Sequence, residues 1–222
     1  MDRVFGTGPL LVLAPHADDE TLGCAALLAD CWRGGRCAHV VCLTDGAASH
    51  PRSTADVAAI RAKELACAIE ILGGAPDRDL TCLGHPDAGL HTVLAERLAA
   101  QVEAVICRLG IGTVIAPSPL DPHCDHVTAA TLAETLVATR SGLALLYYPI
   151  WSRWIGCGTA PAVSGTRRRR HPVDAVLKAR AIAVYASQQG HVIRDDASGF
   201  VMPDGFAAMF TEGPEIYDER VG

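Results

Sequence analysis

The chain has 222 residues, of which 50% are hydrophobic and 20% are charged, and its formal net charge is −6. This composition is typical of one globular α/β domain, predicted to span residues 1–222, and it excludes an intrinsically disordered chain. The acidic balance gives no support for nucleic-acid binding. No segment reaches the ~20 consecutive apolar residues that a membrane span needs.

The cysteine pattern bears on the cellular compartment. The number of cysteines is odd, no CxxC pair occurs, and most lie in apolar segments, where a free cysteine behaves as a small buried hydrophobe. These features indicate a reducing compartment and not a disulfide framework. Because residues 1–15 lack a long apolar region followed by a cleavage site, we predict no signal peptide and a cytoplasmic location. The nine cysteines are Cys24, Cys31, Cys37, Cys42, Cys67, Cys82, Cys107, Cys124 and Cys157.

Short apolar runs alternate with amphipathic segments along the chain. Strands are predicted at 10–14, 39–43, 80–83, 113–116 and 143–148, and helices at 19–32, 56–72, 91–109, 122–138 and 174–187. This alternation predicts right-handed βαβ crossovers and a single Rossmann-like domain, with a mainly parallel sheet flanked by helices. Segment 151–172 shows no period and is predicted to be an ordered excursion or a mobile loop. Since ligands bind beyond the carboxyl ends of such strands, the loops that follow the first four strands are the candidates for a site.

The loop after the first predicted strand carries a histidine followed by three acidic residues. His16 and Asp19 are three residues apart, so one helical turn can bring both side chains to one face, whereas Asp18 lies between them. Asp18, Asp19 and Glu20 together make a costly cluster of negative charge unless a cation offsets the repulsion. Acidic residues are also common in the first turn of a helix, so a simple helix start stays open as the alternative.

The loop after the fourth predicted strand carries two further histidines. Asp121 and the proline that follows it are typical of an N-cap and a first helical position. His123 and His126 then share one face of the first turn, with Asp125 beside them. A carboxylate next to an imidazole suits metal binding because it can orient the ring through its other nitrogen. Two histidines at this spacing also occur as surface or cap residues.

Both loops together predict a catalytic metal site. In the predicted sheet they lie at strand carboxyl ends that the fold brings together. Two histidines and one aspartate, with a fourth position open for water, are typical of catalytic zinc, whereas structural zinc takes four ligands, usually cysteines. The spacing leaves open whether His123 or His126 is the second histidine ligand.

These two loops resemble the motifs of the PIG-L/LmbE-like family of zinc-dependent N-deacetylases. The family's His-Pro-Asp-Asp-Glu is matched by residues 16–20, with Ala17 in place of proline. Its His-Pro-Asp-His is matched by residues 123–126, with Cys124 in place of proline. Weaker similarities in the same order cover most of the chain. Neither substitution removes a ligand, so both concern the rigidity of the loops more than their chemistry.

The resemblance implies metal ligands and a general base. His16, Asp19 and His126 would bind Zn²⁺, and other divalent ions are compatible with such a nitrogen and oxygen site. Asp18 would be the general base that takes a proton from the attacking water.

The resemblance also implies roles for four residues around the metal. His123 would stabilise the oxyanion or protonate the leaving amine, with Asp125 orienting it. Arg61 and Asp87 occupy positions that contact the substrate in the family.

The function that the resemblance implies is hydrolysis of an N-acetyl, or another acyl, group on an N-acetylglucosamine-type sugar conjugate. The expected partner is therefore a small amino-sugar conjugate, and self-association into a homo-oligomer stays open. One alternative is a metal-dependent amidohydrolase of a non-sugar conjugate. The other is a metal-binding domain without turnover, against which Asp18 argues, because a site that only holds metal needs no base.

The arginine run at 167–170 has two interpretations. It can be a solvated loop, or it can clamp a phosphate or another anionic part of the substrate.

Overall fold

The computed structural model describes residues 8–221, in which seven strands form one sheet of order β3-β2-β1-β4-β5-β7-β6. The first five strands are parallel, and β7 is antiparallel to β5 and to β6. The predicted Rossmann-like α/β class with a mainly parallel sheet is therefore confirmed. The strands are β1 Leu10–Ala14, β2 Ala38–Thr44, β3 Leu80–His85, β4 Thr113–Pro117, β5 Ala144–Tyr148, β6 Thr166–His171 and β7 Glu215–Arg220.

Within residues 8–221, eight α-helices connect or flank these strands. They are α1 Asp19–Arg33, α2 Val57–Leu72, α3 Pro76–Asp79, α4 Ala95–Leu109, α5 Cys124–Thr139, α6 Trp151–Ile155, α7 Ala175–Ala183 and α8 Phe206–Thr211. The five predicted helices correspond to α1, α2, α4, α5 and α7. The predicted helix 91–109 begins later than expected, at Ala95, and is preceded by a short 3₁₀ helix, Leu90–Thr92.

The central strand β1 is buried on both faces of the sheet, which explains its continuous apolar sequence. Successive side chains of a strand point to opposite faces. Leu10 and Val12 accordingly pack in one apolar cluster, with residues of α1 and α2, and Leu11 and Leu13 pack in a second cluster, with residues of α4 and α5. Helices therefore cover both faces and leave the strand ends as the place for a site.

The direction of strand order reverses between β1 and β4. From β1 the chain builds outward through β2 to β3, and it then returns to add β4 on the other side of β1. Loops that leave β1 and β4 at their carboxyl ends start side by side and diverge, which opens a crevice between them. This topology places the two motif loops next to each other.

Segment 151–172, predicted to be an ordered excursion or a mobile loop without regular structure, contains regular elements. It contains helix α6 and edge strand β6, which pairs with β7 along six residues. The sequence analysis also missed β7 and α8. A charged, aperiodic edge strand lacks the apolar run by which buried strands are recognised.

The arginine run lies on β6 and is neither a solvated loop nor part of the large cavity described below. Arg167 and Arg169 both contact Glu219 on β7, at 2.8 and 2.7 Å. Arg168 contacts Asp218 at 2.9 Å on the other face of the strand pair. These arginines meet carboxylates of this chain, which explains their abundance on an edge strand without a substrate anion.

The start of α5 differs from the prediction in a way that affects the site. The N-cap is His123, whose Nδ1 accepts a hydrogen bond from the backbone N–H of Asp125, and not Asp121. The Asp121 side chain is fully occupied elsewhere, by His126 and by the start of α6.

Three further predictions concern the cysteines, the membrane and the domain bounds. All nine cysteines are free thiols, but only Cys24, Cys31 and Cys42 are buried, so the expectation that most are core residues was wrong. In the described part of the chain no helix is long and apolar enough to cross a membrane. The predicted domain bounds and the predicted absence of a signal peptide include residues 1–7, and the domain bounds also include residue 222; these lie outside the described residues.

Candidate functional site

The two motif loops meet at the carboxyl ends of β1 and β4. Pro15, which follows β1, accepts hydrogen bonds on its carbonyl oxygen from both the backbone and the hydroxyl of Thr44 at the end of β2. This anchor turns the next residue, His16, toward the start of α5. The rings of His16 and His126 lie with centroids 5.5 Å apart although 110 positions separate them in the chain.

One oxygen of Asp19 lies close to a ring nitrogen of each predicted histidine ligand. Asp19 Oδ2 lies 3.2 Å from His16 Nδ1 and 3.3 Å from His126 Nε2. Tetrahedral zinc bound to nitrogen and oxygen at 2.0–2.1 Å requires ligand atoms about 3.3 Å apart. The two measured separations agree with that requirement. His16, Asp19 and His126 are also almost completely buried, at 8%, 3% and 0% exposure, so their geometry is fixed by packing.

The hydrogen bonds of His126 indicate which of its two ring nitrogens can bind a metal ion. Its Nδ1 lies 2.9 Å from Asp121 Oδ2, and the buried carboxylate can only accept, so Nδ1 carries the proton. In the neutral ring Nε2 then holds a lone pair, and the nearby Asp19 Oδ2, at 3.3 Å, can only accept, so among the described residues this buried nitrogen has no hydrogen-bond donor facing it. A buried nitrogen of this kind is costly unless a cation occupies the space in front of it. The residues present therefore fit a metal ion.

The charge around the two histidines supports the same conclusion. Burial alone would lower the pKa of His126, but Asp19 and Asp121 raise it to about 9, so without an ion Nε2 would bind a proton near pH 7 in the position that a metal cation would take. His16 Nε2 also faces two carboxylates, at 3.1 Å from Asp87 Oδ1 and 3.3 Å from Asp125 Oδ2. The centre thus holds more carboxylates than side-chain cations, which a divalent ion would offset.

Asp18 lies beside the predicted ligands and has a different environment. It is the N-cap of α1 with φ of 153°, a strained value for a residue with a side chain. Burial raises the pKa of its carboxyl group to about 7, against the opposing effect of Arg61. Arg61 Nη2 donates to Asp18 Oδ2 at 3.3 Å and to the carbonyl oxygen of Ala17 at 2.9 Å. A carboxyl group that titrates near neutral pH is well suited to accept a proton.

Arg61 is a buried anchor of the first loop as well as a lining residue of the cavity. Its Nη1 donates to the carbonyl oxygen of Gly46, whose φ is +67°. A β-carbon at Gly46 would lie 2.6 Å from that nitrogen, so glycine allows the guanidinium to approach the backbone. The predicted substrate contact of Arg61 is thus combined with a structural role that the sequence did not show.

His123 lies at the mouth of the site with its ring 4.6 Å from that of His16. Burial and the nearby charges of His16 and His126 lower its pKa, so the ring is neutral near pH 7. Because Nδ1 accepts the backbone N–H of Asp125, the proton of the neutral ring is on Nε2. His123 therefore presents a hydrogen-bond donor to the cavity.

The Asp125 carboxylate does not contact His123 as expected. Its two oxygens accept hydrogen bonds from the backbone N–H groups of Ala88 and Leu90, at 2.8 and 3.0 Å, and Oδ2 faces His16. Asp125 orients His123 only through its own backbone N–H. Its side chain instead joins the loop after β3 to the centre, and it positions Asp87 in the same loop.

A cavity of about 410 Å³ opens in front of these residues. One wall is polar and consists of His16, Asp18, Asp19, Arg61, Asp87 and His123. The apolar lining residues from later parts of the chain are Ile150, Trp151, Phe200, Met202 and Phe206. This size and this division of polarity are typical of a site for a small molecule with one polar and one apolar side.

A second arrangement of ligands competes with the predicted one. One ring nitrogen each from His16, His123 and His126 can also be chosen so that all three lie within 4.8 Å of one another. In this set His123 would replace Asp19 as the third ligand. His123 Nδ1 already accepts the backbone N–H of Asp125, so only Nε2 could bind a metal ion. Nε2 would first have to give up its proton, and if that proton moved to Nδ1 the hydrogen bond from Asp125 would be lost.

Two residues of the centre were not identified from the sequence. Asp121 holds His126 and also accepts hydrogen bonds from Ile150 and Ser152, so it joins α5 to α6. Glu20 is completely buried, with its carboxylate bonded to the Asp18 backbone and, at 2.5 Å, to the Tyr185 hydroxyl. The only sequence signal for Glu20 was its place in the acidic run. Asp121 had a signal that pointed to an N-cap.

A family model described as GlcNAc-PI de-N-acetylase, PIG-L, matches residues 11–137, which is more than half of the chain and includes all eight predicted site residues. A search of curated proteins found no match.

Solved structures share the fold across nearly the whole chain. The A40926 pseudoaglycone deacetylase Dbv21 is 19% identical, with a TM-score of 0.71 over 96% of this chain and 97% of that chain. N,N′-diacetylchitobiose deacetylase from Pyrococcus horikoshii is 22% identical, with a TM-score of 0.64 over 81% of this chain and 70% of that chain. GalB of Pseudomonas putida, a 4-carboxy-2-hydroxymuconate hydratase, is 17% identical, with a TM-score of 0.64 over 96% and 95%. These likenesses show the fold, on which more than one reaction occurs.

Proposed function

This chain belongs to the PIG-L family of GlcNAc-PI de-N-acetylases, and on that premise we propose that it is a metal-dependent hydrolase of N-acyl sugar conjugates. The bond broken would be the amide between an acetyl, or a similar acyl, group and the nitrogen of an N-acetylglucosamine-type unit. The observation that carries the proposal is the buried, unpartnered Nε2 of His126 beside Asp19, within the segment that matches the family.

Three side chains would hold the ion, namely His16, Asp19 and His126. A bound divalent ion supplies Lewis-acid activation of water and of the acyl oxygen. Zn²⁺ is the ion that we propose, and other divalent ions are compatible with two nitrogen ligands and one oxygen ligand. Asp121 would keep the His126 ring in the tautomer that leaves Nε2 unprotonated.

The protein's own groups would manage the proton and the developing charge. Asp18 takes a proton from the attacking water, and the carbonyl carbon becomes tetrahedral as its oxygen gains negative charge. His123 donates from Nε2–H to that oxygen, which stabilises the charge where it develops. When the carbon–nitrogen bond breaks, Asp18 returns its proton to the leaving nitrogen, and the products are an amine and a carboxylate. Arg61 keeps Asp18 in position through the contact at 3.3 Å.

The cavity supports a substrate with both polar and apolar parts. Asp87 lines the cavity and would accept hydrogen bonds from sugar hydroxyls, while Trp151, also in the lining, offers an aromatic ring. Dbv21 and the chitobiose deacetylase act on acylated conjugates by their names, which favours the same class here. A non-sugar amide conjugate is the second candidate, because the apolar wall would also accept an aliphatic or aromatic amide.

A direct assay tests the proposed reaction. The purified protein is incubated with N-acetylglucosamine, N,N′-diacetylchitobiose, an N-acetylglucosaminyl phosphoinositide and a non-sugar N-acetyl amide, and acetate and free amine are measured. We expect equal amounts of both products from at least one sugar substrate, loss of activity with a chelator, and recovery with Zn²⁺. Activity on the non-sugar amide alone would favour the second candidate. Hydration of 4-carboxy-2-hydroxymuconate without amide cleavage would contradict the proposal.

Metal content separates the roles of the two histidines of α5. The wild type is expected to hold about one divalent ion per chain, and His126→Ala should weaken binding by at least about 10–100-fold, because even an outer partner of a ligand contributes that much. His123→Ala should keep the ion and lose turnover, since His123 acts on charge and protons. Elemental analysis after dialysis measures the ion, and thermal melting checks the fold of both variants. Equal metal loss in both would show that His123 is a ligand and would support the three-histidine arrangement.

A further inference from the structure

A second cluster of metal-binding side chains lies on the outer side of the Asp125 carboxylate. His91, Cys124 and Asp125 each offer one ligand atom, and the three atoms lie within 4.8 Å of one another. Asp125 is buried, while His91 and Cys124 are exposed at the rim of the site. We propose that these three residues form a second site for a soft divalent cation such as Zn²⁺ or Cd²⁺.

The distances within the cluster suit such an ion. Cys124 Sγ lies 3.7 Å from Asp125 Oδ1, and zinc bound to sulfur at about 2.3 Å and to oxygen at about 2.1 Å requires a separation of about 3.6 Å. His91 is an exposed residue of the 3₁₀ helix Leu90–Thr92, and one of its ring nitrogens lies within 4.8 Å of both other ligand atoms.

The Asp125 carboxylate contacts both segments that carry the other two ligands. Asp125 Oδ1, the oxygen nearest Cys124, accepts the backbone N–H of Leu90, which is the residue before His91. Cys124 also points toward the loop after β3, with Sγ 3.7 Å from the carbonyl oxygen of Ala88. One carboxylate therefore holds the backbone next to His91 close to Cys124 on α5.

The chemistry of the donors selects the ion. A thiolate, an imidazole and a carboxylate favour zinc and softer ions over Mg²⁺ or Ca²⁺, which prefer oxygen ligands. Binding replaces the thiol proton of Cys124, which passes to solvent, by a sulfur–metal bond. The thiolate and Asp125 together then balance the two charges of the ion.

Asp125 connects the two sites, because each of its two carboxylate oxygens faces a different site. Oδ2 faces His16 in the first site, whereas Oδ1 faces Cys124 in the second. An ion on the outer side would withdraw charge from the carboxylate that positions His16 and Ala88. We therefore expect that excess zinc lowers turnover in the wild type and has a smaller effect in Cys124→Ser.

Alkylation of individual cysteines tests the site without an activity measurement. Iodoacetamide labelling is followed by peptide mass spectrometry in the intact protein, with and without added Zn²⁺ or Cd²⁺. We expect the metal to slow labelling of Cys124, and His91→Ala to raise the concentration needed for this protection by at least about tenfold. Exposed Cys67, on α2, is the internal control and should be labelled at the same rate in every sample.

Two further variants keep the test independent of the first site. His126→Ala should leave the protection of Cys124 unchanged, because His126 is not a ligand of the second site. His91→Asn should lose protection as His91→Ala does, and a melting temperature close to that of the wild type in both variants separates metal binding from a loss of folding. The proposal is overturned if metal does not slow labelling of Cys124, or if His91→Ala protects as well as the wild type. Mg²⁺ that protects equally well would contradict the proposed preference for soft ions.

Discussion

Asp18→Asn is expected to lower kcat by about 10²–10⁴-fold, the usual contribution of general acid–base catalysis, while the metal content stays near that of the wild type. Asparagine keeps the size of the side chain and an oxygen that can accept the hydrogen bond from Arg61 at 3.3 Å. It cannot take a proton from water. Since the carboxyl group with a pKa of about 7 is removed, the loss should fall on kcat and added zinc should not reverse it.

Asp19→Asn should fail in a different way. Asp19 Oδ2 lies between His16 and His126, at 3.2 and 3.3 Å, so its charge acts on the ion and not on the water. The variant should lose metal affinity, and high added zinc should partly restore turnover. A matched control is Asp77→Asn, an exposed aspartate on α3 that should behave like the wild type.

Measurement of kcat, metal content and melting temperature in the three variants decides between the roles. If Asp18→Asn remains fully active when chemistry limits the rate, Asp18 is not the base. If the same variant also loses the ion, Asp18 is a ligand, and the separation of roles inferred from its position between His16 and Asp19 is wrong.

The central part of the fold could be predicted because its residues carry redundant signals. β1 is apolar at every position and ends at a proline, and α1 begins directly at the acidic run, so both were located to within a residue. β7 could not be found in this way. Two of its buried residues, Glu215 and Asp218, are charged, and they meet Lys178 and Arg168 from distant parts of the chain. Sequence patterns report the polarity of a side chain and not the partner that neutralises it.

The candidate site likewise contains residues with a clear sequence signal and residues whose role depends on tertiary contacts. His16, Asp19, His123 and His126 could be predicted to lie close together because the loops carrying them follow the carboxyl ends of predicted parallel strands. Asp121 has a local signal, a following proline, that is typical of an N-cap. Its actual partners include Ser152, thirty-one positions away, and this tertiary contact overrides the local preference. The hydrogen bonds of the Asp125 carboxylate likewise depend on the tertiary position of the loop after β3, which supplies the N–H groups of Ala88 and Leu90.

The largest effect on stability is expected from Lys178→Met. Lys178 Nζ donates to Glu215 Oε1 at 2.7 Å, and both side chains are 1% exposed. Methionine fills a similar volume but leaves a buried carboxylate without its cation, which typically costs about 3–5 kcal/mol. For a chain of this size each kcal/mol corresponds to about 2–4 °C, so the melting temperature should fall by roughly 6–20 °C. Lys63→Met, at an exposed position of α2, is the control and should change the melting temperature little.

The companion variant Lys178→Met with Glu215→Gln shows whether the unpaired charge causes the loss. Glu215 also accepts hydrogen bonds from the backbone N–H groups of Ala26 and Leu27 and from the Tyr217 hydroxyl. The amide oxygen of glutamine can keep part of these bonds without a charge. The double variant should therefore be more stable than Lys178→Met alone, which would place the cost in electrostatics. If both are equally unstable, lost packing between α7 and α1 explains the effect and the ion pair contributes little. The contacts of Glu215 with the backbone of α1 predict the first result, because they hold the carboxylate in the core after its cation is gone.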